Sequence, residues 1–558
     1  MTTLFSQIQK DPALPQRKED NTSNMTFTSY FYDFLEKIKT SAKKTLISET
    51  EGTIHVSEVF GVLAFVYEKI RGAVEYKRDH LLRRNAIERI LRRLLWERQG
   101  RNLEITSQLL LRELIWAKYL PNDSIPKSKI TEIAKIIYKY LELINLLGGY
   151  ISVSQKHRDW IIGVCSCDIE ESLDENFQRG LYVELMYQWF VNNFSWKHSL
   201  LSEHEKSMQL YLAIHRSLPK SDEAIMRYHI LINEMPKWKN PNKEDILKLV
   251  QNFSKLQSEI EKHLSHPIHL HLFRFVKKQS PPFEILQEVV QKRLPVITKL
   301  VENPDKLEGD VRQVCQLKYS EIRQKVNRGI ARSIVYIFVT KVLLALIIEI
   351  PYDLYFLGHL ALIPIGLNVV IPPLLMFLIG LTIKTPGEKN TKRILTRIKN
   401  VVYHGEHVRQ TPFSLTVGRK RSLLTTVFGM FYLMLFIITF GGISALLVKL
   451  NFTVVNSAIF FMFLSLVLLF GFRVRSTATE LSVTNDREGI LGYILNNLSL
   501  PFLNLGVFLS KGIAKLNFFI LIMDFLIEAP LKTIIEVIEE WTAFIREKRE
   551  EVIDVPPE

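Results

Sequence analysis

The chain has 558 residues, a formal net charge of +14 and three cysteines. That length accommodates more than one hydrophobic core, whereas three cysteines exclude a disulfide framework and suit a reducing compartment. No glycine-rich phosphate loop, Gly-x-Ser-x-Gly turn or zinc-finger spacing occurs, so no catalytic residue, cofactor or metal is nominated.

Residues 1–24 are polar, carry Pro12 and Pro15, and lack the apolar core of a signal peptide, which predicts a disordered lead-in. Residues 25–328 predict a cytoplasmic all-α domain of stacked helical hairpins. Phe27, Tyr30, Phe31, Phe34, Leu35 and Ile38 recur at helical steps, and a similar pattern runs through 58–76. Further helices are expected at 103–119, from Pro126 to a stop at Gly148-Gly149, and at 177–193, 203–217, 222–234, 243–263 and 283–301, with another from Asp310 onward. The best strand candidate is 150–153, and no repeat length emerges that would make a solenoid.

Three features of this domain invite chemistry. The stretch 77–101 is basic, with Arg83, Arg84, Arg92 and Arg93 as candidate contacts for anionic lipid or phosphate. The plain alternative, the solvated face of a core helix, carries more weight, and nearness to a membrane favours lipid over nucleic acid. His263, His266, His269 and His271 are split by Pro267 and lack an interleaved acid, which argues against a metal site. Cys165 and Cys167 have no second pair and are read as small semi-buried residues.

Four apolar runs then follow in the region 331–473, at 333–350, 354–383, 422–448 and 453–472, each long enough to cross a bilayer core of about 30 Å. Tight turns are expected at Tyr352-Asp353 and at 449–452. The connection 384–421 is strongly basic, with Lys392, Arg393 and Arg397 as further candidate lipid contacts. Basic residues stay on the cytoplasmic side, so the loop and both termini are expected there, in a multi-pass protein of the cytoplasmic membrane. Gly329 is the one candidate joint between the soluble helix 311–328 and the first run; a continuous helix and a break there are both open.

Within the first run, Lys341 and Glu349 are anomalous, because a charge in hydrocarbon costs roughly 2.5–3.5 kcal/mol on insertion scales. Eight residues on a regular helix place them about 12 Å apart along the axis and roughly 80° around it, too far for a direct bond. Each is therefore expected to find its partner on another helix. The second run is interrupted by Gly358, Pro364, Gly366, Asn368, Pro372 and Pro373, which suits kinked packing more than a substrate path. Lys341, Glu349 and Asn368 form the candidate intramembrane polar site. Arg332-Ser333 and Arg421-Ser422 open the two hairpins alike, which shared hairpin constraints explain.

Residues 474–529 are expected as cytoplasmic or interfacial helices, because charges interrupt the apolar stretch 501–527. Residues 530–552 predict an acidic amphipathic helix with Ile534, Ile538, Trp541 and Ile545 on one stripe, docking on the N-terminal domain or on the basic loop. Together these features favour a non-enzymatic membrane anchor, scaffold or regulatory or assembly factor. Its expected partners are the bilayer, anionic lipids in particular, and a protein or a second copy of the chain. A small transporter or channel with a path near Lys341 is the rival reading, though the third and fourth runs offer few polar residues to line one. A membrane-tethered RNA-binding protein is weaker still.

Overall fold

The computed structural model describes residues 27–45, 52–56, 79–97, 102–149, 153–173, 178–197, 201–403, 411–414, 422–483, 490–515, Trp541 and Phe544. The lead-in 1–24, the helix expected at 58–76, most of the strand expected at 150–153 and most of the tail helix, including Ile534, Ile538 and Ile545, lie outside them. The fold is all-α, as the periodicity predicts, and four of its helices are long and apolar enough to cross a membrane.

The helical domain begins with α1 (Ser29–Thr45), α2 (Asp79–Glu97), α3 (Leu103–Trp116), α4 (Ser128–Leu146), α5 (Gln155–Leu173) and α6 (Gln178–Asn193). It continues through α7 (Glu203–Ser217), α8 (Glu223–Glu234), α9 (Lys243–Leu264), α10 (His269–Lys277), α11 (Pro281–Lys292) and α12 (Ile297–Val301). Local chemistry sets the ends. Ser202 with Glu205, and Asn242 with Asp245, form reciprocal capping boxes that satisfy the first free N–H groups of α7 and α9. After α4, Gly148 and Gly149 take φ of 127° and 91°, a conformation that side chains resist, and the helix stops. Helix α5 is buried on nearly all sides from Trp160 to Glu170, which is why its sequence shows little amphipathic pattern.

The next helix, α13 (Pro304–Leu344), passes through Gly329 without a break. Two π-helical stretches, Ala345–Glu349 and Asp353–Leu357, extend it, and the chain turns only at Gly358, with φ 71°. The first membrane turn therefore lies at 358–361 and not at Tyr352-Asp353. Asp353 and its neighbours belong to the first span, and the second span is shortened to α14 (Leu362–Thr382). Polarity marked the wrong place for the turn; the residue that tolerates positive φ marks the right one. Helix α14 runs on through Pro372 and Pro373. The remaining spans are α16 (Ser422–Lys449) and α17 (Val454–Ala478), with the expected tight turn between them at Asn451, φ 60°.

Between α14 and α16 lies α15 (Glu388–Val402), whose apolar face of Ile394, Leu395, Ile398, Val401 and Val402 is buried in the same core as the N-terminal helices. Each such side chain contributes roughly 1.5–3 kcal/mol relative to staying exposed. Thr28 N–H donates to the Val402 carbonyl at 3.0 Å, Thr28 Oγ1 to the Val401 carbonyl at 2.7 Å, and Tyr403 OH to the Val301 carbonyl at 2.7 Å. Beyond α15, β1 (Phe194–Lys197) pairs in parallel with β2 (Thr411–Ser414), in the register Phe194 to Thr411. The inter-span loop is thus a structural part of the helical domain, and both lie on one side of the spans.

Helix α18 (Ile490–Lys515) follows the last span. Its residues from Pro501 were expected at the interface, yet they pack along α16 and α17 near mid-span. The Phe502 ring lies 4.5 Å from that of Phe440, Asn504 Nδ2 donates to Tyr432 OH at 2.6 Å, and Gly506 sits under the Ser465 carbonyl. Neighbouring apolar spans satisfy the apolar face of α18 better than a water interface does.

Candidate functional site

Among the described residues, six polar side chains are fully buried on the packed faces of the bundle: Lys341, Glu349 and Asp353 on the first span, Asn368 on α14, and Asn456 and Ser465 on α17, of which Ser465 donates back to the Phe461 carbonyl of its own helix. Lys341 Nζ lies 2.5 Å from Glu349 Oε1 and 5.0 Å from the centre of the Phe463 ring. Asn368 Nδ2 donates to the same Glu349 oxygen at 3.2 Å and to the main-chain carbonyl of Asn456 at 3.1 Å. Asp353 follows Glu349 by one helical turn. Ionised, the group holds two carboxylates against one ammonium.

The direct Lys341–Glu349 bond corrects the expectation of separate partners. The intervening residues 345–349 are π-helical, so each step turns the chain less than a regular helix would. That brings Glu349 back toward the stripe occupied by Lys341, and two long side chains close the remaining axial gap. The structure joins all three nominated residues and adds Asn456, while Asp353 stands fully buried one turn beyond Glu349 on the same span. Asp353 was hidden because it stood at the expected turn, and Asn456 because an amide near the start of a span reads as a cap. The only signal for Asp353 was its spacing of four residues from Glu349, and Pro351 between them obscured it.

The cluster lies toward the end of the bundle away from the helical domain. Asn368 is six residues into α14, about 9 Å from its start. Satisfaction is incomplete. Glu349 Oε2, both Asp353 carboxylate oxygens, Asn368 Oδ1 and both side-chain amide atoms of Asn456 have no hydrogen-bond partner among the described residues. Buried polar atoms are normally paired, because each orphan costs roughly 1–3 kcal/mol.

The basic candidates are placed differently. Arg83 binds Glu170 through two nitrogens at 2.7 and 2.8 Å. Arg84 is buried and holds Glu88 and Asp222, Arg92 holds Glu88 and Asp159, and Arg93 holds Glu113. These four guanidiniums tie α2 to α3, α5 and α8. Lys392 and Arg393 are exposed on α15, while Arg397 is half-buried with its guanidinium 5.9 Å from the centre of the Trp189 ring, and burial lowers its pKa. Trp541 is helical and exposed, with its ring 6.5 Å from Phe544.

Among the described residues of the helical domain, concavities of about 820 and 1130 Å³ accompany one of about 500 Å³ lined by Tyr211, His215, Tyr228, His229 and Asn233 among others. The His215 ring lies between those of Tyr211 and His229, tilted against both with centres 4.5 Å apart, and its Nδ1 lies 3.2 Å from Ser221 Oγ. Burial pushes the His215 pKa well below its ordinary value and lowers that of His229. Cys165 and Cys167 are buried, and burial pushes both thiols up, away from reactive thiolate. No protein-family description, curated protein or solved structure matches the chain.

Proposed function

We propose that the protein is a non-enzymatic regulatory or assembly factor anchored in the cytoplasmic membrane, in which one rigid helix relays the state of the intramembrane polar cluster to the helical domain. The observation that carries this reading is the unbroken helix Pro304–Phe356, 53 residues long. Its first half supplies Leu307, Val311, Val314, Cys315, Tyr319, Ile322 and Val326 to the domain core. Its second half bears Lys341, Glu349 and Asp353. A helix packed at both ends moves as a body, so a change of charge at one end is felt at the other. The Asn390 side chain adds a second tie, donating to Tyr319 OH at 2.9 Å and to the Leu481 carbonyl at 2.8 Å, which joins this helix to α15 and to the end of α17. Exposed Lys392 and Arg393 suit the anionic leaflet as a lipid partner.

Hydrogen exchange on the full-length protein in lipid nanodiscs tests the relay. Glu349→Gln should alter amide protection in α11 and α15. Adding Gly329→Pro, which kinks the helix, should abolish that distant effect. Unchanged protection in the domain on Glu349→Gln would end the proposal. A transport reading is favoured by the same buried carboxylates; sodium or proton flux into vesicles holding the purified protein, lost on Glu349→Gln, would move the assignment there.

A further inference from the structure

The polar cluster carries an unbalanced charge. Lys341 answers one carboxylate, Glu349, at 2.5 Å, while Asp353 is fully buried with neither oxygen hydrogen-bonded among the described residues. A lone carboxylate in an apolar bundle is not tolerated as such; it must acquire a positive partner or a proton. Which of the two follows from the neighbouring atoms. Asn456 is fully buried, its main-chain carbonyl is held by Asn368, and both atoms of its side-chain amide are unpartnered. With Glu349 Oε2, Asn368 Oδ1 and the two Asp353 oxygens, the cluster offers five oxygens in need of a partner, drawn from three spans.

A proton would cancel the charge but engage only one or two of those oxygens. A divalent ion would leave the cluster positive by one. A hard monovalent cation removes the imbalance and coordinates carboxylate and amide oxygens together, the ligand set such ions prefer. We propose that Asp353, Glu349, Asn368 and Asn456 form a binding site for one monovalent cation of the sodium class, with Lys341 as the fixed internal counter-charge that orients Glu349. The position of Asn368, about 9 Å from the start of α14, opens the shorter approach from the end opposite the helical domain. The site stands or falls apart from the relay, because binding is read at the cluster whether or not the domain responds.

The test is equilibrium binding of radiolabelled sodium to the detergent-solubilised full-length protein by scintillation proximity, with NaCl, KCl and choline chloride as competitors. One ion per chain is expected, displaced by NaCl and not by choline. Asp353→Asn should abolish binding while the protein remains monodisperse. Asn456→Ala, which keeps the charge, should weaken it by roughly tenfold, the scale of one lost contact. Absence of saturable sodium binding to monodisperse wild-type protein overturns the proposal. If that protein instead takes up a proton between pH 8 and 5 that Asp353→Asn does not, the cluster is a proton site and the cation assignment is wrong.

Discussion

A lysine stays buried in hydrocarbon only while an opposite charge holds it, and the reverse is true of its partner. Lys341→Met therefore leaves Glu349 and Asp353 buried with no cation from the chain. We expect a loss of about 3 kcal/mol, read as a lowered unfolding midpoint in detergent, with recovery when Glu349→Gln is added. Equal stability of the single and double variants would mean that the pair contributes nothing. The site was legible in part: charges and an amide inside apolar runs stand out, so Lys341, Glu349 and Asn368 were visible, whereas Asp353 and Asn456 needed the true positions of the turns. In the helical domain, His215 and His229 refuse protons that the unfolded chain accepts near its ordinary pKa of about 6.5. Their depressed values make stability complete above that pH and lower it as pH falls, by at most about 1.4 kcal/mol per unit for each histidine. Denaturant melts between pH 7.5 and 5 should show this acid limb, and His215→Gln should flatten it. An unchanged slope would place the acid sensitivity elsewhere.

At the scale of elements, helix existence followed from periodicity, but destinations did not. The face of α15 that reads as an amphipathic surface helix, with Lys392 and Arg393 outward, has its other side inserted in the domain core. Nothing in a basic loop between spans announces that it completes a domain begun 373 residues earlier; the pairing of Thr28 with Val401 and Val402 is purely tertiary. Similarly, the polar residues of α18 suggested an interface because their partners, such as Tyr432 for Asn504, lie on other helices. Packing of α18 depends on backbone approach at Gly506, where an added Cβ would stand 2.6 Å from the Ser465 carbonyl oxygen. Gly506→Val should therefore part α18 from α17 and cost roughly 1–3 kcal/mol, seen as a lower melting temperature. It should also speed hydrogen exchange in α18. Full retention of both would show that this contact is not needed to seat the helix.

At the scale of the whole molecule, one constraint organises everything else: the helical domain is assembled from chain that precedes the first span and chain that follows the second. β1 pairs with β2, and Tyr403 bonds Val301, only if spans one and two form a complete return across the bilayer. The turns at 358–361 and at Asn451 must then share the opposite side. Charge is what would set which side is which: by the tendency of basic residues to stay inside, we propose that α15 and the domain face the cytoplasm. The native cysteines Cys165, Cys167 and Cys315 are buried, so introduced thiols can be read over a low background. Cysteines replacing exposed Leu360 and Asn451 should react with an impermeant maleimide in intact cells. Cysteines at exposed Lys243 and Lys392 should react only after permeabilisation. Labelling of Lys243→Cys and Lys392→Cys from outside, with the other two protected, would reverse the orientation but keep the fold. A split result, in which Lys243→Cys and Lys392→Cys label from opposite sides, would break the shared core itself, because no arrangement of spans can then bring α15 to the N-terminal helices.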